Sequence, residues 1–378
     1  DGHLIVHGLH LSHHLSVAMN TEMPVAIGTP VEFGAGLKVM PANLSGTDAV
    51  PLIDGATAGI LASVNSFTIK QRVRWGEALT QGCIEQSNVY DIYDTANGNH
   101  IFVAVERSED CARCCCAPGH SLFVEIKTTA GMQGVHGMPR DQLAAMATSM
   151  TMEREGCFSK PCLGCCICSD SCKNDMYLHA GALSPEVEAG KAGAAYDKCI
   201  GLSTQPKCGG YFTPTINIMD RAAGPGEFSA LSKVEGPCFF GGCSELCFDS
   251  TWNVSRMTPE TWEQKINQGD MAIITKKKPD GMSSALREAF TDSDTFTMEF
   301  KPEAQLTPQQ KATMIASLLL VDYMFFEQDN GMLSCEGGKL KITLCETYCC
   351  GSLCPWNITI SSQGGDGGAA PTSKDTSR

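Results

Sequence analysis

Hydrophobic and polar positions begin to alternate near Ser66, and the alternation then recurs along much of the chain. Residues 67–73 (FTIKQRV) alternate loosely, and 89–94 and 101–105 are two further β-rich runs. Between the latter two lies Ala96-Asn97-Gly98-Asn99. Asn and Gly tolerate positive φ, so this pair predicts a tight hairpin. Leu122, Val124 and Ile126 alternate with Phe123, Glu125 and Lys127. Residues 211–219, 228–234 and 246–252 read as further strands, and 140–153 as a short helix inserted between strands. Many short strands broken by turn signals predict a mainly β barrel or sandwich.

One segment has a different period. Thr307-Pro308-Gln309-Gln310 is a capping box, with Thr at the N-cap, Pro at the first helical position and Gln at the third. The following residues, 312–326, are apolar apart from Thr313, Ser317 and Asp322. A helix that is apolar all round must be buried, in protein or in lipid. Fifteen residues rise only about 22 Å, whereas a bilayer core needs about 20 residues. Asp322 inside the run would cost roughly 2.5–3.5 kcal/mol at mid-membrane. The expectation is a helix over 308–327 enclosed by the strands, with Asp322 either capped by barrel polar groups or facing a polar lipid path.

The flanks are less regular. Residues 1–54 form a poorly patterned arm. Its His3, His7, His10 and His14 would share a face in a helix, but no carboxylate or Cys completes a metal set, so the arm reads as surface. A barrel domain follows over 55–330, then a Cys-rich unit over 331–360. Within that unit 339–344 is strand-like, 345–354 a turn and 356–360 strand-like again. The Gly/Ser-rich residues 361–378 read as a flexible tail.

The chain has 378 residues with 43% hydrophobic and 19% charged, ample for a core. Its net charge of −14 and single basic run, Lys276-Lys277-Lys278, argue against nucleic acid as a partner. The first residue is Asp1, so a processed or missing start is expected and a targeting peptide stays open. Twenty-one cysteines cannot all pair within one chain. Tight runs such as Cys114-Cys115-Cys116 disfavour simple bridges, so a reduced compartment is expected. The N-x-S/T sites at Asn43, Asn253 and Asn357 then carry no consequence.

The cysteines repeat a unit of strand, cysteine turn and strand. Cys111, Cys114, Cys115 and Cys116 precede the run at Leu122; Cys157 to Cys172 precede Met176; Cys238, Cys243 and Cys247 follow Val234; Cys345 to Cys354 follow Ile342. Several of these turns are expected at one end of the barrel. Three chemistries stay open for them. Exposed thiols near a membrane can be acylated, and several together make an anchor. Cys111-x-x-Cys114, Cys162-x-x-Cys165 and Cys165-x-x-Cys168 have zinc-like spacing. Or they are small buried hydrophobes.

Residues 284–296 (SALREAFTDSDTF), together with 311–327 ending VDYMFFE, resemble the signature of the phospholipid scramblase family. Residues 67–106 resemble that family's first strands, Cys157 to Cys168 its acylated cluster, and Gly236-Pro237-Cys238 another block. The resemblance covers roughly 55–327. It implies a Tubby-like fold, a closed antiparallel barrel of about twelve strands around the hydrophobic C-terminal helix. It also implies Ca2+-dependent, ATP-independent movement of phospholipids between leaflets. Palmitate would sit on Cys162, Cys165, Cys166 and Cys168, with Zn2+ on Cys111, Cys114, Cys115 and Cys116 as the metal alternative. The protein would then be membrane-associated, cytoplasm-facing and lipid-anchored rather than spanning; an organelle membrane such as the mitochondrial one is left open. The Pro-rich arm of animal members is absent, and the unit at 331–360 is an extension that suits docking into a protein assembly.

The family's proposed calcium loop maps onto residues 292–303, with Asp292, Asp294, Phe296, Met298 and Glu303 at ligand positions. Hard carboxylate oxygens suit Ca2+, but Thr297 stands where the turn wants Gly, and Phe296 has no side-chain oxygen. Phe296, Met298 and Phe300 also alternate with Thr295, Thr297 and Glu299, the pattern of a half-buried strand. No phosphate loop, nucleophile elbow or zincin motif occurs, so no catalytic set is expected. His100, His120, His136 and His179 read as structural. The rivals to lipid transport are a non-transporting adaptor using the same fold and a lipid-sensing regulator.

Overall fold

The computed structural model describes residues 52–72, 87–107, 121–155, 169, 172–183, 197–222, 224, 226–257, 270–279, 294–326 and 339–361, and the backbone of 31–33, 37–40 and 333–336. Its strands are β1 (Val31–Phe33), β2 (Leu37–Met40), β3 (Ser66–Gln71), β4 (Val89–Asp94), β5 (His100–Arg107) and β6 (Leu122–Thr128). Then come β7 (Met150–Arg154), β8 (Asp175–Ala180), β9 (Cys199–Thr204), β10 (Thr215–Arg221), β11 (Glu227–Glu235) and β12 (Phe239–Phe240). Last are β13 (Ser250–Arg256), β14 (Ala272–Lys276), β15 (Thr295–Phe300), β16 (Leu333–Glu336), β17 (Lys339–Cys349) and β18 (Ser352–Ser361).

Twelve of these strands close a ring. Neighbours run in chain order from β3 to β11, then β13, β14, β15 and back to β3, every pair antiparallel. Closure removes the free edges that an open sheet would expose. The alternation of β15 works as the sequence predicts: Phe296, Met298 and Phe300 are buried and Glu299 is exposed. The central helix (Pro308–Phe325) fills the ring and buries every side chain from Lys311 to Phe325. Its capping box is formed: the Thr307 hydroxyl accepts from the Gln310 amide at 3.2 Å, and Gln310 Oε1 accepts from the Thr307 amide at 3.1 Å. The helix lies close on β9 because residue 201 is Gly. A Cβ there would come within 2.2–2.9 Å of the Thr313 side chain.

At one end of the ring a short helix (Gly55–Ser63), N-capped by Asp54, stoppers the barrel. Lys311 Nζ donates to its carbonyls, Leu61 O at 3.0 Å and the adjoining Val64 O at 2.6 Å. The β6–β7 connection forms a strap over the outside of β4 and β5. Val135 and Leu143 pack there against Val89, Val103 and Val105. Arg72 donates to Val135 O and Met138 O, while Asp91 accepts from Arg72, His100 and His136.

Six of the ring's connections, β3–β4, β5–β6, β7–β8, β9–β10, β11–β13 and β14–β15, leave from the other end. Gln71 pairs with Tyr90, Arg107 with Phe123, Arg154 with Met176, Thr204 with Asp175 and Asn217, Glu235 with Thr215 and Asn253, and Lys276 with Ser250 and Phe296. These residues mark one rim, here called the mouth. The cysteine-bearing connections β5–β6, β7–β8 and β11–β13 all leave from it.

Several expectations change. The helix expected over 140–153 spans only Arg140–Ala144, because Met150 and Met152 turn inward as part of β7. Residues 246–252 are not one strand: Ser244–Cys247 is a single helical turn and β13 begins at Ser250. β10 starts at Thr215, since Tyr211 takes φ +62° in a turn. The turn expected over 345–354 shrinks to Cys350-Gly351, with φ of +48° and +89°. Two positive φ values match the two-residue loop that suits strand twist, so β17 continues to Cys349 and pairs it with Ser352. The N-terminal arm holds the β1–β2 hairpin, with β2 parallel to β11.

Candidate functional site at the mouth of the barrel

The last turn of the central helix carries its polar groups into a collar built by the rim strands. Asp322 Oδ2 accepts from the Tyr90 hydroxyl at 2.6 Å. The Tyr323 hydroxyl donates to Glu106 Oε2 at 3.1 Å, and that oxygen also accepts the Asn88 amide at 2.9 Å. Gln71 Nε2 donates to Asn88 Oδ1 at 2.9 Å. All six residues are buried, where a lost partner costs about 1–3 kcal/mol.

Beside them sits a buried ion cluster. Lys276 Nζ binds Glu245 and, at 2.9 Å, Asp294 Oδ1, and it lies 4.1 Å from the Phe326 ring centroid. Burial disfavours the ammonium, but the Asp294 and Glu245 charges outweigh this and hold Lys276 protonated well above its ordinary pKa. Asp294 is pushed up by burial, opposed by Lys276 and reinforced by Asp322 and Glu245. The two directions conflict for a simple pair. They agree once one ammonium is seen to bind two carboxylates, with the Asp322 charge adding to the load on Asp294; Lys276 stays charged and Asp294 holds its proton more tightly than an ordinary carboxyl.

An aromatic plug completes the mouth. Rings of Phe240, Trp252, Phe296, Phe325, Phe326 and Tyr348 stack edge-on or tilted with centroids 5.1–6.0 Å apart. Gly236 is required beneath Trp252, since a Cβ would lie 2.5–2.8 Å from the indole. The hairpin of β17 and β18 fastens over this plug. Tyr348 is buried against Phe325 and donates to Gly209 O at 3.0 Å, the Cys350 amide donates to Tyr211 O at 2.6 Å, and the Cys243 amide to Thr343 O at 2.9 Å. The central helix is thereby held at both ends.

The expected site residues fall in different places. Asp322 takes the barrel-capped alternative. Asp294 lies at the mouth in the Lys276 cluster, Phe296 and Met298 point into the core, and Glu303 lies in the turn Pro302–Ala304 beyond the far end of β15. Six extended residues span about 20 Å, so Asp294 and Glu303 cannot meet on one ion and the EF-hand-like path is corrected to a strand. Asp292 lies outside the described residues. So do Cys111, Cys114, Cys115, Cys116, Cys162, Cys165, Cys166, Cys168, His120 and the four N-terminal histidines. Their connections depart from Arg107 and Arg154 on the mouth rim.

Among the described cysteines, Cys199 is buried and its thiol is pushed up to about 12 by desolvation, while Cys238, Cys247 and Cys354 are exposed thiols. Cys172 is disulfide-bonded, a departure from the all-thiol expectation. The basic run divides: Lys276 is buried, whereas exposed Lys277 pairs with Asp249. His100 and His136 both engage Asp91, and His179 engages Glu153, structural roles in each case. Among the described residues no group of three or more His, Cys, Asp or Glu side chains could hold a metal ion, and no helix is long and apolar enough to cross a membrane.

Tyr90, Glu106, Glu245, Trp252 and Lys276 escaped the sequence reading. The one available signal was Lys276 itself, a charge closing the apolar strand AIITK.

The Scramblase family model matches residues 45–178 and 233–328, most of the ring and the whole central helix. Phospholipid scramblase 1 of Mus musculus is 24% identical over 268 residues, 71% of this chain and 63% of that protein. Phospholipid scramblase 1 of Homo sapiens is 24% identical over 293 residues, 78% of this chain and 71% of that protein. Phospholipid scramblase 2 of Homo sapiens is 25% identical over 270 residues, 71% of this chain and 69% of that protein. The chain thus spans less than two thirds of the mouse relative's length. No solved structure matches it. The match runs through the strands that build the mouth and through the helix they enclose, and the chain belongs to the scramblase family.

Proposed function

We propose that this protein associates with a phospholipid membrane and moves phospholipids between its leaflets without ATP, under Ca2+ control. The observation that carries the reading is the family match across both the ring and the central helix, alongside relatives named phospholipid scramblase. The protein faces the cytoplasm and is held by palmitate on Cys162, Cys165, Cys166 and Cys168, a multi-chain anchor of the kind one acyl group cannot supply. Ca2+ acts at the Asp292–Asp294 edge, where it competes with Lys276 for the Asp294 carboxylate.

The helix stays inside the barrel during this work. Met314, Ile315, Leu318, Leu319, Leu320, Val321, Met324 and Phe325 are almost wholly buried. At about 1.5–3 kcal/mol per side chain their burial is worth roughly 12–24 kcal/mol, against about 5–15 kcal/mol for the stability of a typical domain. Withdrawing the helix would unfold the ring. Lipid exchange is therefore attributed to a docked barrel disturbing the bilayer from its surface. The same double anchorage favours a second reading, a non-transporting adaptor built on the fold.

Liposomes carrying a reporter lipid, with and without Ca2+, separate the two. Fast leaflet exchange that requires Ca2+ and is lost in Asp292→Ala/Asp294→Ala, with the variant still folded, is the expected result. No exchange above empty liposomes from folded, bound protein would leave the adaptor.

A further inference from the structure

Nine of the ten exposed large hydrophobic side chains among the described residues lie on the β17–β18 hairpin or on the two connections it fastens to, β9–β10 and β11–β13. Register places the hairpin's share on one face. Leu340 pairs with Ile360 and Ile342 with Ile358, so all four point the same way, and Trp356, two residues before Ile358, shares that face. Phe239 joins them, paired with Thr347 beside Trp356. Trp356 is 58% exposed, Ile358 48%, Ile360 52% and Phe239 63%. The opposite face is spent on the barrel through Tyr348 and Glu346, so the apolar face is fixed outward. A patch of this kind is uncommon on a protein that contacts only water.

We infer that this outer face of the C-terminal hairpin is a lipid-docking surface, which sets the apolar stripe of β18 and Phe239 into the interfacial layer of a phospholipid membrane. The inference rests on the membrane reading above, but apart from Phe239 it concerns a segment beyond residue 328, outside the family match. Three observations select lipid as the occupant. No charged side chain stands on the stripe, and the Trp356 indole N–H is already donated to Thr347 at 3.2 Å, leaving the ring's apolar surface outward. An indole ring is one of the side chains that settle at headgroup level. The chain's own residues 362–378 hold no large hydrophobic side chain with which to cover the face. A second copy is a poorer occupant: Pro355 removes an N–H from the β18 edge, which blunts strand pairing there.

The test is flotation of the full chain with vesicles of phosphatidylcholine and phosphatidylserine. The protein is compared with Trp356→Ser/Ile358→Ser/Ile360→Ser and with Met132→Ser, an exposed apolar position elsewhere. Wild type and the Met132 variant are expected to float alike, and the triple variant to partition at least tenfold less with unchanged thermal melting. If the triple variant folds poorly, Trp356→Phe serves instead. Quenching of tryptophan emission by brominated lipid chains should be present in wild type and sharply reduced in that variant. Equal flotation of wild type and triple variant, or quenching unchanged by Trp356→Phe, overturns the inference. So does a wild-type self-association lost in the triple variant while flotation is unchanged. Leaflet exchange measured at equal bound protein separates the two proposals. Docking without exchange removes the transport reading alone, and exchange with unchanged docking of the triple variant removes this one alone.

Discussion

Replacing Lys276 by Met should destabilise the protein more than any other single change at the mouth. Lys276 is 7% exposed and is the ammonium bound to Asp294 and Glu245. Met keeps the stem's length but strands the carboxylates. Breaking a buried ion pair from one side costs about 3–5 kcal/mol, and the contact with Phe326 adds part of the roughly 0.5–2 kcal/mol typical of a desolvated cation on a ring. The sum is a large share of ordinary domain stability, about 5–15 kcal/mol. The pH dependence follows from Asp294. Without Lys276 the Asp294 carboxyl, already pushed up by burial, rises further above its unfolded value near 4. Groups with raised carboxyl pKa values lose stability as pH climbs from the unfolded value through the folded one. The deficit should therefore be larger at pH 8 than at pH 5. Urea unfolding of wild type and Lys276→Met at both pH values measures it. A deficit under about 1 kcal/mol at pH 8, small beside the buried-pair cost, or an equal deficit at both, would refute the assignment of Lys276 as the neutralising charge. Adding Glu245→Gln and Asp294→Asn to the same chain should recover most of the loss.

Gly201→Ala should cost about 1–3 kcal/mol by overpacking, because the new methyl meets Thr313; thermal melting should show the loss, and Thr313→Ala in the same chain should return part of it. Burial raises the Asp91 carboxyl, but hydrogen bonds from His100, Arg72 and His136 outweigh it and hold the carboxyl far below its ordinary range. Its stabilisation of the strap is thus fully present above about pH 4 and is lost as pH falls below that; Asp91→Asn should unfold more easily in urea at pH 7 and show a flatter acid profile. A thiol reagent at pH 8 should label Cys354 and Cys238 within the folded protein and leave Cys199, buried and pushed up to about 12, unmodified until unfolding.

Much of the architecture was legible because it is local. Thr307 and Gln310 announce the central helix three residues apart, Asn97-Gly98 announces the β4–β5 hairpin, and the side-chain alternation of residues 295–300 outweighs the calcium-loop alignment. The errors also have local causes. Helix-forming residues at 140–144 run into Met150 and Met152, whose period of two was hidden by the preceding turn. β9 went unread because Gly201 breaks its pattern, and that Gly exists for the sake of Thr313, more than a hundred residues away. The mouth was less legible still. Tyr90 and Asp322 are 232 positions apart, and Lys276 meets Glu245 and Asp294 only after the ring closes. The hairpin turn failed for a different reason: cysteine-rich residues 345–354 look like a loop in composition, while their register is set by Cys350 and Gly351 alone.

The central claim is that the barrel works closed, with its helix inside. Hydrogen exchange of the amides from Ala312 to Phe325, measured on vesicle-bound protein while reporter lipid is changing leaflets, tests it directly. The account predicts protection as strong as in solution, with Asp322 and Tyr323 still slow. Rapid exchange along the helix, or protection that falls as lipid exchange begins, would show the helix leaving the ring and would contradict the account.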